Sequence, residues 1–224
     1  MKPNRPVYVV GGGHSTFMGK ARPEFVHPKH PEWGERSNPG LAEHLSAALQ
    51  ESFGVTGVAP EEHHAETPRL VAEAWEQELL AGYTQAPKDA LGKPVGSAED
   101  GLVLLKGVEF HSMCAHHLLP FRGTAHVGYL PGPSGIVGIG ALARLVECFA
   151  HRLQTQERLT TQIADALDAH LEPVGVGIII EADHACMQAR GPRSPAMVIT
   201  SQFRGELQAR SGEFLALAGV SNGS

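Results

Sequence analysis

Two short runs of this chain concentrate side chains able to hold a metal ion. One reads "EFHSMCAHHLLPFRG" and carries Cys114, His116 and His117; the other, about seventy residues later, reads "EADHACMQARG" and carries His184 and Cys186. The C-x-x-H spacing of Cys114 and His117 lets one tight turn present a thiolate and an imidazole to the same ion. Cys186 can then close the triangle from a different strand. Two Cys and one His leave a fourth position open, which is the arrangement of a catalytic rather than a structural zinc, because the open position admits a water whose pKa falls to about 7. His184 and Cys186 are two apart in a predicted strand, so their side chains leave the same face: one can hold the ion while the other works on a substrate. His116, next to a ligand, is a second candidate for proton transfer, since an imidazole titrating near ~6.5 suits acid and base work around neutrality. A lone C-x-x-H is a weak signal, and the later H-x-C makes the metal reading the stronger one. The remaining cysteine, Cys148, lies in "ALARLVECFAHRL", where Leu142, Leu145, Val146 and Phe149 recur at helical spacing, and reads as a buried structural thiol. His111 and His126 have no partner in sequence and read as surface or strand-packing residues. His27, His30, His63 and His64 read as solvated.

The elements that must position these groups can be read around them. Residues 1–40 combine a strand-like "VYVV", a glycine run and a stretch crowded with Pro, His and charge, and form an N-terminal extension of loop character. The "GGGHS" there lacks the full spacing of a phosphate-binding loop, and a plain turn is the preferred reading. Residues 41–95 are a helical N-terminal region: "LAEHLSAALQESFG" ends in a glycine stop, and "TPRLVAEAWEQELLAGY" opens with Thr67 as a candidate N-cap and Pro68 at the first helical position. Residues 96–224 carry the chemistry. The strands "LVLLKGVEFHS" and "GTAHVGYLPG" precede two amphipathic helices, 139–153 and 156–171. The strands "VGVGIIIEADHAC" and "AMVITSQFRG" follow them. The order ββααββ predicts an α+β domain, an antiparallel sheet covered by helices on one face.

Composition narrows the function classes. With 42% apolar and 19% charged residues among 224 and no low-complexity run, the chain reads as a soluble globular protein. A net charge of −6 and the lack of a Lys/Arg cluster exclude a surface built for nucleic acid. No segment approaches the ~20 apolar residues that cross a bilayer, and the N-terminus lacks the apolar stretch of a signal peptide, so the expected setting is the cytoplasm, away from membranes. Three scattered cysteines suit metal binding in a reducing compartment better than disulfides.

Taken together, "CAHHLLPFRGTAHVGYLPG", "LARLVECFAHRLQTQERLTTQIADAL" and "EADHACMQARG" closely resemble GTP cyclohydrolase I, the zinc enzyme that opens the imidazole ring of GTP and recloses it as a dihydropterin triphosphate. The resemblance spans roughly residues 60 to 207. It implies the tunnelling fold (T-fold), with sheets shared between subunits in rings, active sites at subunit boundaries, and a homo-oligomer of ten copies in two stacked pentamers. It also implies that Cys114, His117 and Cys186 hold zinc, and that His116 and His184 transfer protons near the imidazole nitrogens. Glu157, with Gln156 beside it, would accept hydrogen bonds from the guanine N1–H and 2-amino group, a paired acceptor that excludes adenine-like bases. Read without the resemblance, Glu157 is an acid at a helix start, favoured by the helix dipole.

The departures fall on the triphosphate clamp. The family's Ser-Lys pair before the first core helix is replaced by Gly140 and Ala141, its basic positions in the "TP" helix fall at Leu70 and Glu73, and Ala115 stands where a Glu is usual. Arg144 and Arg190 remain to hold an anion or a sugar oxygen. A triphosphate carries about four negative charges, and each charge-assisted contact to it is worth ~1.5–3 kcal/mol, so these losses should weaken GTP binding many-fold. The leading expectation is therefore a zinc-dependent cyclohydrolase acting on a less phosphorylated guanine-type purine: guanosine, GMP, guanine or 8-oxoguanine. Two alternatives stand beside it. One is a conventional GTP cyclohydrolase I whose clamp is rebuilt from Arg22, Lys29 or Arg36. The other is a non-catalytic purine- or pterin-binding regulator, which would have no need of a water-activating metal.

Overall fold

The computed structural model describes residues 7–11, 41–55, 66–96 and 100–220. Six strands form one sheet in the order β1 (Val7–Gly11), β6 (Met197–Gly205), β5 (Gly175–His184), β3 (Pro120–Leu130), β2 (Val103–Cys114) and β4 (Leu153–Gln154). The four long strands pair antiparallel, as the ββααββ order predicts, while the two short ones are parallel additions: β1 on β6, and β4 on the end of β2. The α+β T-fold expectation holds. Between the strand pairs lie α4 (Ile139–Ala150) and α5 (Gln156–Leu171), both amphipathic. Thr155 caps α5, its hydroxyl accepting from the Arg158 amide, and α5 ends where Glu172 takes a left-handed conformation. Their apolar stripes pack on one sheet face: Leu142, Leu145, Val146 and Phe149 from α4, with Leu159, Ile163 and Leu167 from α5, meet Ala125, Val127, Val176, Ile178 and Ile180. Each such side chain contributes about 1.5–3 kcal/mol on burial.

The helical N-terminal region is more broken than its periodicity suggests. Helix α1 (Leu41–Val55) runs through Gly54 rather than stopping at it. Helix α2 (Thr67–Ala74) begins at Thr67, so Glu66 takes the cap position without a side-chain cap; Pro68 sits in the first turn. The chain then passes through a π-helical turn, Trp75–Leu79, and a 3-10 turn, Ala81–Thr84, to a one-turn helix α3 (Pro87–Leu91). Arg152 ties this segment to α4. Its Nε donates to the carbonyls of Gly82 and Cys148, and its Nη2 to that of Gln85, while the guanidinium lies over the Phe149 ring. Cys148 is fully buried beside it, as expected for a structural thiol, and burial raises its pKa.

One helix lies outside the sequence reading. After β6 and a 3-10 turn, Glu206–Gln208, the short α7 (Ser211–Ala218) packs on the sheet face opposite α4 and α5. Phe214 inserts there among Leu130, Ile179, Leu207 and Ala218. The sheet admits the ring because positions 128 and 177 are glycine: a Cβ on either would lie 2.8 or 2.7 Å from Phe214 ring atoms. No helix among the described residues is long and apolar enough to cross a membrane. The "GGGHS" turn beyond Gly11, His27, His30, His63, His64 and the candidate clamp residues Arg22, Lys29 and Arg36 lie outside the described residues.

Candidate metal centre

The site forms where several elements end together: the C-termini of β2 and β5, the N-terminus of β3, and the start of α5. At the end of β2, residues 115–117 make a tight turn closed by the Leu118 amide donating to the Cys114 carbonyl at 2.8 Å, with Leu118 at φ 51°. The Cys114 amide donates to Leu119 O, and Ala115 donates to Gln154 O, so both strand pairings of β2 continue into the turn. This is the local geometry that C-x-x-H requires. Cys114 is buried at the strand end while His116 and His117 are exposed on the turn, their rings 6.3 Å apart and nearly perpendicular.

The second half of the site differs from its sequence reading. Strand β5 ends at His184, and Cys186 lies in the one-turn helix α6 (Ala185–Gln188), so the two do not share a strand face. The helical turn changes the direction of the Cys186 side chain and carries it toward Cys114. The ligand atoms of Cys114, His117 and Cys186 all lie within 4.8 Å of one another. Tetrahedral zinc with bonds of about 2.0–2.3 Å spaces its donors by roughly 3.5–3.8 Å, so a slight closure of this group meets that geometry. The donor chemistry agrees: two thiolates and an imidazole suit zinc rather than a hard cation. Burial and the adjacent Cys114 thiol raise the pKa of Cys186, with a backbone hydrogen bond and Arg190 opposing. Two thiols this close resist ionising together, and a bound dication is what relieves that repulsion.

His184 is held on two sides. In the β3–β5 register it stands opposite Phe121, and the rings stack with centroids 4.7 Å apart at an interplanar angle of 1°. Its Nε2 lies 2.8 Å from Gln156 Oε1. Burial lowers its pKa, while the carboxylates of Glu157 and Asp183 pull it the other way. Gln156 itself is 1% exposed, and its amide nitrogen donates to the carbonyls of Ile180 on β5 and Val198 on β6. Its neighbour Glu157 is exposed on the first turn of α5, within electrostatic reach of His184. The sequence singled out His184, Gln156 and Glu157, and the fold brings Gln156 into contact with His184 and Glu157 within its electrostatic reach. It did not single out Phe121, whose contact arises only from cross-strand register and leaves no spacing signal.

The basic residues are more dispersed. Arg190 and Arg193 are exposed just after α6, whereas Arg144 on α4 donates through Nε to the carbonyl of Ala90. Arg69 is held by Glu66 and Glu73, both at 2.8 Å. Leu70 is exposed, Gly140 lies at the open start of α4, and Ala141 is 1% exposed within the core, where a lysine would displace packing. Two clefts of about 310 and 340 Å³ lie along the strands near His111, Arg122 and Asp183, and neither includes Cys114, His117 or Cys186.

The sequence profile of GTP cyclohydrolase I matches residues 45–218. The chain belongs to the GTP cyclohydrolase I family. It is thereby a cyclohydrolase, a hydrolase of cyclic amidine C–N bonds. It is 49% identical over 164 residues to the GTP cyclohydrolase 1 of Streptomyces coelicolor, covering 72% of this chain and 81% of that one. With the GTP cyclohydrolase 1 of Bifidobacterium longum it shares 43% identity over 187 residues, 83% of this chain and 92% of the relative. With that of Brucella anthropi it shares 49% over 152 residues, 66% and 70% of the two chains. A solved structure, the archaeosine synthase QueF-Like in the apo form, overlays at a TM-score of 0.41 and 17% identity over 49% of this chain and 97% of that one. This GTP cyclohydrolase I family member carries a Cys114, His117 and Cys186 group that could hold a metal ion.

Proposed function

We propose that this protein is a zinc-dependent GTP cyclohydrolase I that opens the guanine imidazole ring of GTP at C8 and forms a dihydropterin triphosphate. The observation that carries the reading is the convergence of Cys114, His117 and Cys186 beside His184 in a chain of this family. Cys114, His117 and Cys186 would hold the zinc, which when bound lowers the pKa of a water and so supplies a nucleophile near neutrality.

The chain's own side chains supply the rest. Glu157 accepts from the guanine N1–H and 2-amino group, which fixes the base by the edge that distinguishes it from adenine. His116 and His184 exchange protons with the imidazole nitrogens as the C8–N bond breaks. The half-buried, stacked position of His184 favours the neutral ring that can accept one. Arg144 and Arg190, with Arg193 nearby, offer charge to the phosphates.

The relatives weigh against the expectation of a less phosphorylated substrate. At 43–49% identity over most of the chain they carry the name GTP cyclohydrolase 1, whereas that expectation rests on positions 70, 73, 140 and 141 alone. The conventional reading is therefore preferred, and a regulator without turnover has nothing to support it. We further infer a homo-oligomer, in the family's manner a decamer, working in the cytoplasm, where reduced thiols stay available to the metal. The deciding experiment gives zinc-loaded protein a panel of GTP, GMP, guanosine, guanine and 8-oxoguanine, followed by absorbance, pterin fluorescence and mass. GTP should become a fluorescent pterin, and chelation should abolish it. Turnover of an unphosphorylated member with GTP inert would reverse the reading.

A further inference from the structure

We propose that Gln156 is a positioning residue that fixes the tautomer and ring orientation of His184, placing a proton on Nε2 so that Nδ1 is the lone-pair nitrogen of the neutral ring. The inference deepens the ring-opening reading above and rests on it for its catalytic meaning.

The argument is one of hydrogen-bond accounting. A glutamine amide has two N–H donors and one acceptor oxygen. Here the nitrogen faces two backbone carbonyls, Ile180 O at 2.9 Å and Val198 O at 3.0 Å, on neighbouring strands. Turning the amide over would set its oxygen against two other oxygens inside the protein, leaving buried acceptors unpaired at a cost of about 1–3 kcal/mol each. The amide orientation is thereby determined, and Oε1 is the atom 2.8 Å from His184 Nε2. An acceptor at that place requires the proton on Nε2, which leaves Nδ1 as the lone-pair nitrogen of the neutral ring.

The ring's remaining freedom is removed by Phe121, stacked at 4.7 Å, which restricts flipping. Gln156 is anchored in turn. It is the first residue of α5, and its carbonyl accepts from Thr160 Oγ1, whose hydroxyl pairs with Thr200 across to β6. The chain from β6 through α5 to His184 is thus one hydrogen-bonded unit. With its side chain 1% exposed and its amide fully used, Gln156 acts through the histidine, unlike Glu157 beside it, whose carboxylate is open to the site.

Two measurements test this separately. Zinc-loaded, full-length protein with ¹⁵N-labelled histidine, the His184 signals assigned by their loss in His184→Asn, reports the tautomer without substrate. The Nε2-protonated form is expected, and a dominant Nδ1-protonated form overturns the proposal. In kinetics, Gln156→Met, which keeps the volume and removes the acceptor together with the donors to Ile180 O and Val198 O, should lower kcat for GTP about 10²-fold while KM stays within about 2-fold, as expected for a misplaced catalytic group. Added to His184→Asn, the same change should cost no further rate. A KM rise with kcat unchanged, or a full multiplicative loss in the double variant, would make Gln156 a direct substrate contact and overturn it. If Gln156→Met fails to fold, the wild-type tautomer still decides. If wild type leaves GTP unturned, the ring-opening reading fails and the tautomer result stands or falls by itself.

Discussion

At the scale of single residues, His126 shows how a buried imidazole couples folding to pH. It lies on β3 at 7% exposure, and its Nδ1 has no hydrogen-bond partner among the described residues. Burial lowers its pKa below the ordinary value of 6.5, and the Lys106 charge adds to the effect. The unfolded chain therefore takes up a proton near pH ~6.5 that the folded chain takes up only at lower pH. Its stability contribution is whole above that pH and is lost as the pH falls from the unfolded pKa toward the folded one. His126→Leu should accordingly flatten the acid side of the stability profile. Between about pH 7.5 and 5.5 the melting temperature of the zinc-loaded variant should drop a few degrees less than that of wild type, as read by calorimetry; parallel drops would show that His126 is not the group responsible. The same residue marks a limit of sequence reading. From the sequence it reads as a surface or strand-packing residue, and it is buried in the strand, but the lack of a partner for Nδ1 depends on what β2 and β5 place beside it.

Among elements, the long ones were legible: α4 and α5 from continuous apolar periodicity at 3.6, and β2, β3, β5 and β6 from β-rich runs bounded by turn residues. The short ones were not. A two-residue β4, a one-turn α6 and an eight-residue α7 carry too few periods to register, and isolated helices of such length are marginal in water. Their stability comes from contact. For α7 the contact is Phe214, fully buried in a slot made by two glycines on adjacent strands. Phe214→Ala should cost about 3–5 kcal/mol in denaturant unfolding, with amide exchange in residues 211–218 rising first. A loss under about 1 kcal/mol would mean that α7 is not anchored there. Helix α6 shows why such elements matter to the site: reading its residues as a continuation of β5 sends Cys186 in the wrong direction, and the helical turn is what delivers it to Cys114.

For the whole molecule, the sheet leaves edges open. No described strand pairs with the outer side of β2 over Val103–Ser112, since β4 reaches only Met113 and Cys114, and β1 covers β6 only as far as Ser201. Unpaired edges of this length are templates for another chain, and they stand at opposite ends of one sheet, as closed rings need. The metal group is also open on one side, with His117 exposed. Sedimentation equilibrium of the active protein should therefore give a mass many times the 23.9 kDa of the chain, about tenfold for a decamer. A monomer at assay concentration would contradict both the ring and a site completed by a neighbour.

The sequence by itself determined the candidate metal-holding residues and most of the architecture. The C-x-x-H spacing that one tight turn can present to an ion is set by local covalent geometry, and apolar periodicity by the repeat of helix and strand, whereas the H-x-C read on one strand face lies instead across the end of β5 and α6. What the tertiary structure alone decided were relations between residues distant in the chain. These are the stacking of Phe121 on His184 through strand register, and the rotation of Cys186 by α6. They are also the burial of Ala141 at a position expected to be basic, and the turning of the Gln156 amide away from solvent toward Ile180, Val198 and His184. Each depends on which surfaces the folded chain brings together, and a one-residue change of the β3–β5 register would undo the Phe121–His184 stack.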